Sequence, residues 1–425
     1  RRHLHRCITL LPIPFFCFAP LLLAEDWPQF RGPRRDGTWN EAGLLKKFPV
    51  DGLKFSWRTP VGRGWSSPIV ASGRVFVTDV QMLHPNVKER VLCFDEVTGN
   101  RVWYYDYEVA YPDWAYIQEH GGGPSSTPVF DERRIYSLGP NGHLHCLDAR
   151  TGELEWRRKL NKEYRINEMS CRPSPLIEGN LLIVVTGALP SASVLALDKR
   201  TGETVWSALD DGISNSSPIV VDAGGTRQLI VWSGDAITSL NPANGSIFWR
   251  EEMKSSNNDA IATPVHSGTH LLVSGLMFEL DIEKPFARIQ WPGVSPAAKR
   301  ILSNTSTATI ADGYIYSARS GGSFACLEAA TGQQRWEVES LTERANGAGV
   351  NITTAGANAF LYTDRGDLIL ARLTPEQYTE ISRVHLLDPT SPFAGKKFAW
   401  SPPSYANGHI FVRNDEALIC ASLVE

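Results

Sequence analysis

Residues Leu144 to Trp156 read L-H-C-L-D-A-R-T-G-E-L-E-W. Apolar side chains alternate up to Asp148, a Thr-Gly turn follows at Thr151 and Gly152, and a second alternation ends on Trp156. A period of two on both sides of a glycine turn predicts a β-hairpin, because successive strand residues face opposite ways whereas a helix needs a period near 3.6. The stretch recurs. Val91 to Trp103, Val194 to Trp206 and Phe324 to Trp336 repeat it closely, and Ile237 to Trp249 keeps Asn244, Gly245 and the tryptophan. Trp57, Trp103, Trp156, Trp206, Trp249, Trp291 and Trp336 advance in steps of 42 to 53 residues. A four-stranded unit of that length cannot bury both its faces alone, so such units close into a ring of blades.

Working outward, each unit opens on small residues, often with proline: Ser66-Ser67-Pro68, Ser126-Thr127-Pro128, Pro173-Ser174-Pro175, Ser216-Ser217-Pro218 and Ala262-Thr263-Pro264. Three later openings, Ser306-Thr307, Asn351-Ile352-Thr353-Thr354 and Ser401-Pro402-Pro403-Ser404, bring the units to eight. Small side chains suit the crowded innermost strand, and proline is tolerated at a strand start. The fifth and seventh units are eroded, with Glu283-Lys284-Pro285 and Leu373-Thr374-Pro375 where Thr-Gly should stand. The eighth has only three strands, so Lys54 to Thr59 is predicted to supply its fourth and remove the last free edge. The reading is an all-β, eight-bladed propeller over 54–425, closed by an N-terminal strand and preceded by an extended segment over 25–53.

The 425 residues include 42% hydrophobic and 21% charged side chains and 35 glycines, the balance of a turn-rich globular chain. A formal charge of −4 gives no reason to expect nucleic acid or an anionic membrane as partner. Residues 1–24 read as a secretory signal peptide: Arg1, Arg2 and Arg6 precede an apolar run from Ile8 to Leu23, and Ala24 precedes Glu25 and Asp26. A retained anchor is the competing reading, but a short run broken by Pro12, Pro14 and Pro20 favours cleavage with no stable span left. The expected location is therefore periplasmic or secreted. Cys93, Cys146, Cys326 and Cys420 fall at one place in the repeat. Equivalent sites on neighbouring blades lie beyond the ~7 Å Cα limit for a disulfide, which predicts small buried core residues instead.

The motif Leu147-Asp148, Thr151-Gly152 and Trp156 resembles the repeat of the pyrroloquinoline-quinone-like, or quinoprotein dehydrogenase-like, propellers, over about residues 54 to 425. The segment Asp26 to Gly37, D-W-P-Q-F-R-G-P-R-R-D-G, further resembles the opening of secreted proteins of this class abundant in planctomycete-type bacteria. The resemblance implies that the turn and the tryptophan dock one blade on the next, here through Trp57, Trp103, Gly152, Trp156, Gly202, Trp206, Trp249 and Trp336. Tryptophan suits such a seam because it buries about 150–250 Å². Dehydrogenases of the class hold the quinone between a tryptophan and a vicinal disulfide beside calcium; no two cysteines are adjacent here. The class also contains the outer-membrane-protein assembly lipoprotein, a scaffold without the cofactor, but no lipobox cysteine follows the apolar run here.

Positions just before the innermost strands should converge on the axis at one rim: Trp65, His120, Arg172, Asn215, Asp259, Asn304, Asn351 and Trp400. Together they offer groups for a polar planar ligand or a small anion; the alternative is that they only solvate the channel mouth. His120 alone suits a general base or a structural role. Asn257, Asn258 and Asp259 offer oxygens for calcium, or simply form a turn, since no D-x-D-x-D-G spacing occurs. No catalytic residue and no resident metal is assigned. The expected function is an exported, non-catalytic binding or scaffold module for a protein, glycan or small molecule; the alternative is a dehydrogenase of alcohols or sugars using pyrroloquinoline quinone with calcium.

Overall fold

The computed structural model describes residues 25–83, 85–117, 122–254, 261–291, 302–303, 305–319, 321–343, 349–393 and 395–424. The signal peptide reading therefore lies outside the described residues, as do His120, Asp259 and Asn304. Eight four-stranded antiparallel sheets form the blades of a propeller. Blade 1 shows the pattern: a three-residue innermost strand, Ile69–Ala71, then Arg74–Leu83, Asn86–Asp95 and the outer strand Arg101–Val109. Blades 2 to 7 begin at Val129, Leu176, Ile219, Val265, Thr309 and Val350. Blade 8 takes Ser404–Ala406, His409–Arg413 and Ala417–Ser422 from the C-terminal end and Phe55–Pro60 from the N-terminal end. Its register runs from Phe55 opposite Ala421 to Pro60 opposite Ala417, with a bulge before Trp57.

Two sets of contacts hold blade to blade. On the outside, the Trp103 indole lies on Gly152 and donates to the Ala149 carbonyl at 3.0 Å. Trp57 sits likewise on Gly99, Trp156 on Gly202, Trp206 on Gly245 and Trp291 on Gly332. The turn that receives each ring is shaped by its aspartate: Asp148 Oδ1 accepts from the Arg150 and Thr151 N–H groups, an Asx turn. Where the turn is eroded the seam changes. Trp249 donates to Gln228 within its own blade, and Trp336 donates to the Thr374 carbonyl.

Around the axis the small residues do more than fit a narrow space. The Ser67 N–H donates to the Thr127 hydroxyl, the Thr127 N–H to Ser174, and the Ser174 N–H to Ser217, at 2.9–3.0 Å. Thr263 to Thr307 and Val350 to Ser306 continue the series. Each hydroxyl satisfies an N–H of a neighbouring blade, the preceding one in the first four cases and the following one for Ser306, and such a group left unpaired when buried would cost about 1–3 kcal/mol. All five cysteines among the described residues are buried and free.

Residues 25–53 carry no repeat, and their path follows from their aromatic and small residues. Trp27 pairs with Val70 on the inner edge of blade 1, Pro28 accepts from Phe130 of blade 2, and Thr38 pairs with Thr354 of blade 7. The loop between them thus crosses one end of the axial channel. The chain then fills the seam from blade 7 to blade 8, where blade 7 has no tryptophan. Trp39 packs against Phe360 and Tyr405, Phe48 stacks on Phe360, and Leu45 donates to the Leu423 carbonyl.

Candidate functional site

The rim opposite this plug carries the connections that lead into each innermost strand. Trp65 and Arg172 meet there, although their blades are not neighbours in the ring: the Arg172 guanidinium lies 5.7 Å from the Trp65 ring centroid, a cation–π arrangement. Burial lowers the Arg172 pKa, an effect that nearby Tyr111 partly offsets. Trp400 stacks on Phe398 at 4.5 Å and 21°. Phe398 belongs to a hairpin, Ser391–Phe393 with Lys396–Phe398, that stands beside the rim before blade 8. Asn215 is half-buried ahead of blade 4. Asn351 lies one residue inside the innermost strand of blade 7, opposite Tyr362, rather than before it, because that strand has six residues instead of three.

Sequence reasoning missed a buried polar cluster between blades 1 and 2. Glu89, fully buried, accepts from the Tyr107 hydroxyl at 2.5 Å and from Tyr111 at 2.9 Å. Gly139 is required at that spot, since a Cβ there would stand 2.2 Å from the Glu89 carboxylate. Tyr107 packs on His145 at 4.2 Å and on His143 at 5.6 Å between ring centroids. Burial pushes the Glu89 carboxyl up to about 7, against the pull of the two phenols. Burial, with nearby lysines as a smaller cause, pushes His143 down to about 4. The cluster fastens the loop after blade 1 and, being enclosed, touches nothing outside. Its only sequence signal is a lone glutamate in an alternating apolar strand. Next to it, Asp79 is fully buried and takes Arg90 through two bonds of 2.7 and 2.6 Å.

The described residues do not fit the quinone. No vicinal disulfide is there to make its floor, since the five cysteines among the described residues are single, free and buried. One face of each rim tryptophan is already covered, Trp65 by Arg172 and Trp400 by Phe398. Among the described residues, no group of three or more His, Cys, Asp or Glu is placed to hold a metal ion; the Asn257–Asp259 candidates lie outside them. A groove of about 550 Å³ lies at the opposite end, between the inner turns of blades 4 and 5, lined by residues such as Asp222, Gly224, Thr269 and Ile282. It has no aromatic wall.

Fold and repeat together define the class as an eight-bladed β-propeller, and its repeats are similar to the pyrroloquinoline-quinone-like ones. Residues 87–282 match the family model described as outer membrane protein assembly factor BamB. The protein of that name from Moranella endobia is 26% identical over 53% of this chain and 61% of its own length, so this chain spans about three fifths of that relative. The crystal structure of BamB from Moraxella catarrhalis superposes with a TM-score of 0.57 at 18% identity, covering 87% of this chain and 99% of that one. A europium-containing methanol dehydrogenase superposes with a TM-score of 0.62 at 13% identity, covering 91% and 89%. At such identities the two structures show the fold alone.

Proposed function

We propose that this chain is a non-catalytic binding propeller working outside the cytoplasm, and that a protein partner docks on the rim over blades 8, 1 and 2. The observation that supports it most is a set of large apolar side chains on rim loops of these consecutive blades. Leu83 is 71% exposed on the hairpin of blade 1, Trp114 and Ile117 are 40% and 45% exposed on the loop leading to blade 2, and Phe393 is 45% exposed on the hairpin before blade 8. Apolar residues grouped on loops of a rigid scaffold are how interaction sites present themselves. Three of the curated relatives carry the name of an assembly factor, which favours a protein as partner, and two carry that of an alcohol dehydrogenase, which is the alternative. Trp65, Arg172, Asn215 and Trp400 then line the mouth of the channel beneath that partner, with Asn351 one residue inside the blade 7 strand.

The test places a photo-crosslinking residue at Leu83, Trp114 or Phe393 on the rim, and at Val205 or Ile247 on outer strands, which are also more than half exposed. In cells making the protein, a discrete adduct should form from the rim positions and not from the outer strands. Equal adducts from both, or none, would remove the rim as the interface. The dehydrogenase alternative has its own readout: dye-linked alcohol oxidation after adding quinone and calcium, with a rise in melting temperature.

A further inference from the structure

The run Arg31-Gly32-Pro33-Arg34-Arg35 has no part in the reading above, and it occupies the axis. Arg35 is 5% exposed; its Nη1 donates to the Pro175 carbonyl at 2.7 Å and its Nη2 to Ser174 at 3.2 Å, two residues below the rim position Arg172. Arg31 Nη2 donates to the Asp36 carbonyl at 2.8 Å and lies against Gly37, close to the blade 7 strand at Ile352. Both guanidinium groups therefore reach from the plug into the channel, from opposite walls. Arg34 between them behaves differently: it is exposed and paired with Glu25 at 2.7 Å and Asp36 at 3.4 Å.

We propose that Arg31 and Arg35 form a binding site on the propeller axis for a small oxyanion of the size of phosphate or sulfate. Among the described residues neither arginine makes a salt bridge, and the Nε of each is buried without a hydrogen-bond partner. Carbonyl oxygens and the Gln29 amide take some of the donors but bring no net charge, and the one carboxylate that acts on Arg31, Asp36, is exposed and already paired with Arg34. Burial pushes Arg31 down to about 10 and Arg35 to about 9, and Arg35 is lowered further by the nearness of Arg31. Both residues also hold left-handed backbone, φ of 62° and 56°, which side chains bearing a Cβ adopt only at a cost. An oxyanion between the forks would accept from the free Nε groups and neutralise the pair, and the planar fork is suited to two oxygens at once. Arg172 at the rim stands on the same wall as the Arg35 contacts, which places a cation at the entrance as well.

The chain from Glu25 is titrated with sodium phosphate, sodium sulfate and sodium chloride at equal ionic strength, by calorimetry and thermal melting. Phosphate and sulfate should bind saturably and raise Tm by about 3 °C at a hundredfold excess over Kd, with chloride inert. Arg35→Gln and Arg31→Gln should each weaken binding at least tenfold, and Arg34→Gln should leave it unchanged. If Arg35→Gln does not fold, Arg31→Lys decides, because it keeps the charge and loses the fork: a tenfold loss supports the site. An equal response to chloride, or binding that survives Arg31→Gln or Arg31→Lys, overturns it.

Discussion

Glu89 shows what a single buried group does to the pH response of the whole chain. Its carboxyl sits at about 7 in the fold against 4.5 when free, so between those values the folded state holds the extra proton. The stability that comes from keeping it neutral is present below pH 4.5 and is lost as pH rises through 7. At one pKa unit per 1.36 kcal/mol the swing is about 3 kcal/mol. His143 and His145 act the other way. Burial pushes them down to about 4 and about 3, so they stay neutral in the fold and destabilise it as pH falls below 6.5. The raw profile mixes these effects, and Glu89→Gln isolates one of them. Urea denaturation at pH 5, 6, 7 and 8 should find the variant about 3 kcal/mol more stable than the parent at pH 8, the gap narrowing to about 1 kcal/mol by pH 5. A gap that does not change with pH would mean that Glu89 is ionised throughout. Neither this residue nor Arg31 and Arg35 was legible in the sequence, because each occurs once, whereas Gly152 and Trp156 announce themselves by recurring. Rim positions such as Trp65 and Arg172 were expected from repeat alignment, but alignment gives height in the blade and not direction. It could not foresee that Arg172 would cover Trp65.

At the scale of elements, strands and blade count were legible because hydrophobic alternation and, in most units, a turn glycine are local signals that recur along the chain. The second strands Arg134–Leu138, Tyr314–Ala318 and His409–Arg413 stand where alternation puts them. The Ser-Thr-Pro signal was visible but its purpose was not: a hydroxyl that accepts a neighbouring blade's N–H looks, in one dimension, like any small residue. The turn itself can be tested for its share in the seam. Gly152 has φ of 75°, and a Cβ there would lie 2.6 Å from the Trp103 ring. Gly356 has φ of 58° with nothing within 4 Å of the same position. Gly356→Ala therefore measures the backbone cost alone, about 1 kcal/mol, while Gly152→Ala adds displacement of the indole and should cost about 3 kcal/mol in chemical denaturation. Equal losses would show that the tryptophan wedge does not depend on the glycine.

The whole molecule is closed twice by the same end of the chain, and the two closures make different demands. Phe55–Pro60 completes blade 8 and covers the edge of Ala417–Ser422, while 25–53 plugs the channel and replaces the missing tryptophan between blades 7 and 8. Two shortened chains separate them. A chain starting at Lys54 keeps every blade whole but uncovers Tyr405, Phe360 and Val70, on which Trp27 and Trp39 now lie. Loss of a buried tryptophan costs about 3–5 kcal/mol, so its denaturation midpoint should fall well below that of the full chain while the transition remains single. A chain starting at Val61 leaves blade 8 with three strands and an exposed edge beside the turn that Trp57 should cover. That chain should lose the single transition and associate through the open edge, read by light scattering during unfolding. If the chain from Val61 instead unfolds in one step at the midpoint of the chain from Lys54, the ring is held by its blade-to-blade seams alone. The strand from the N-terminal end would then be an addition to a propeller already closed without it.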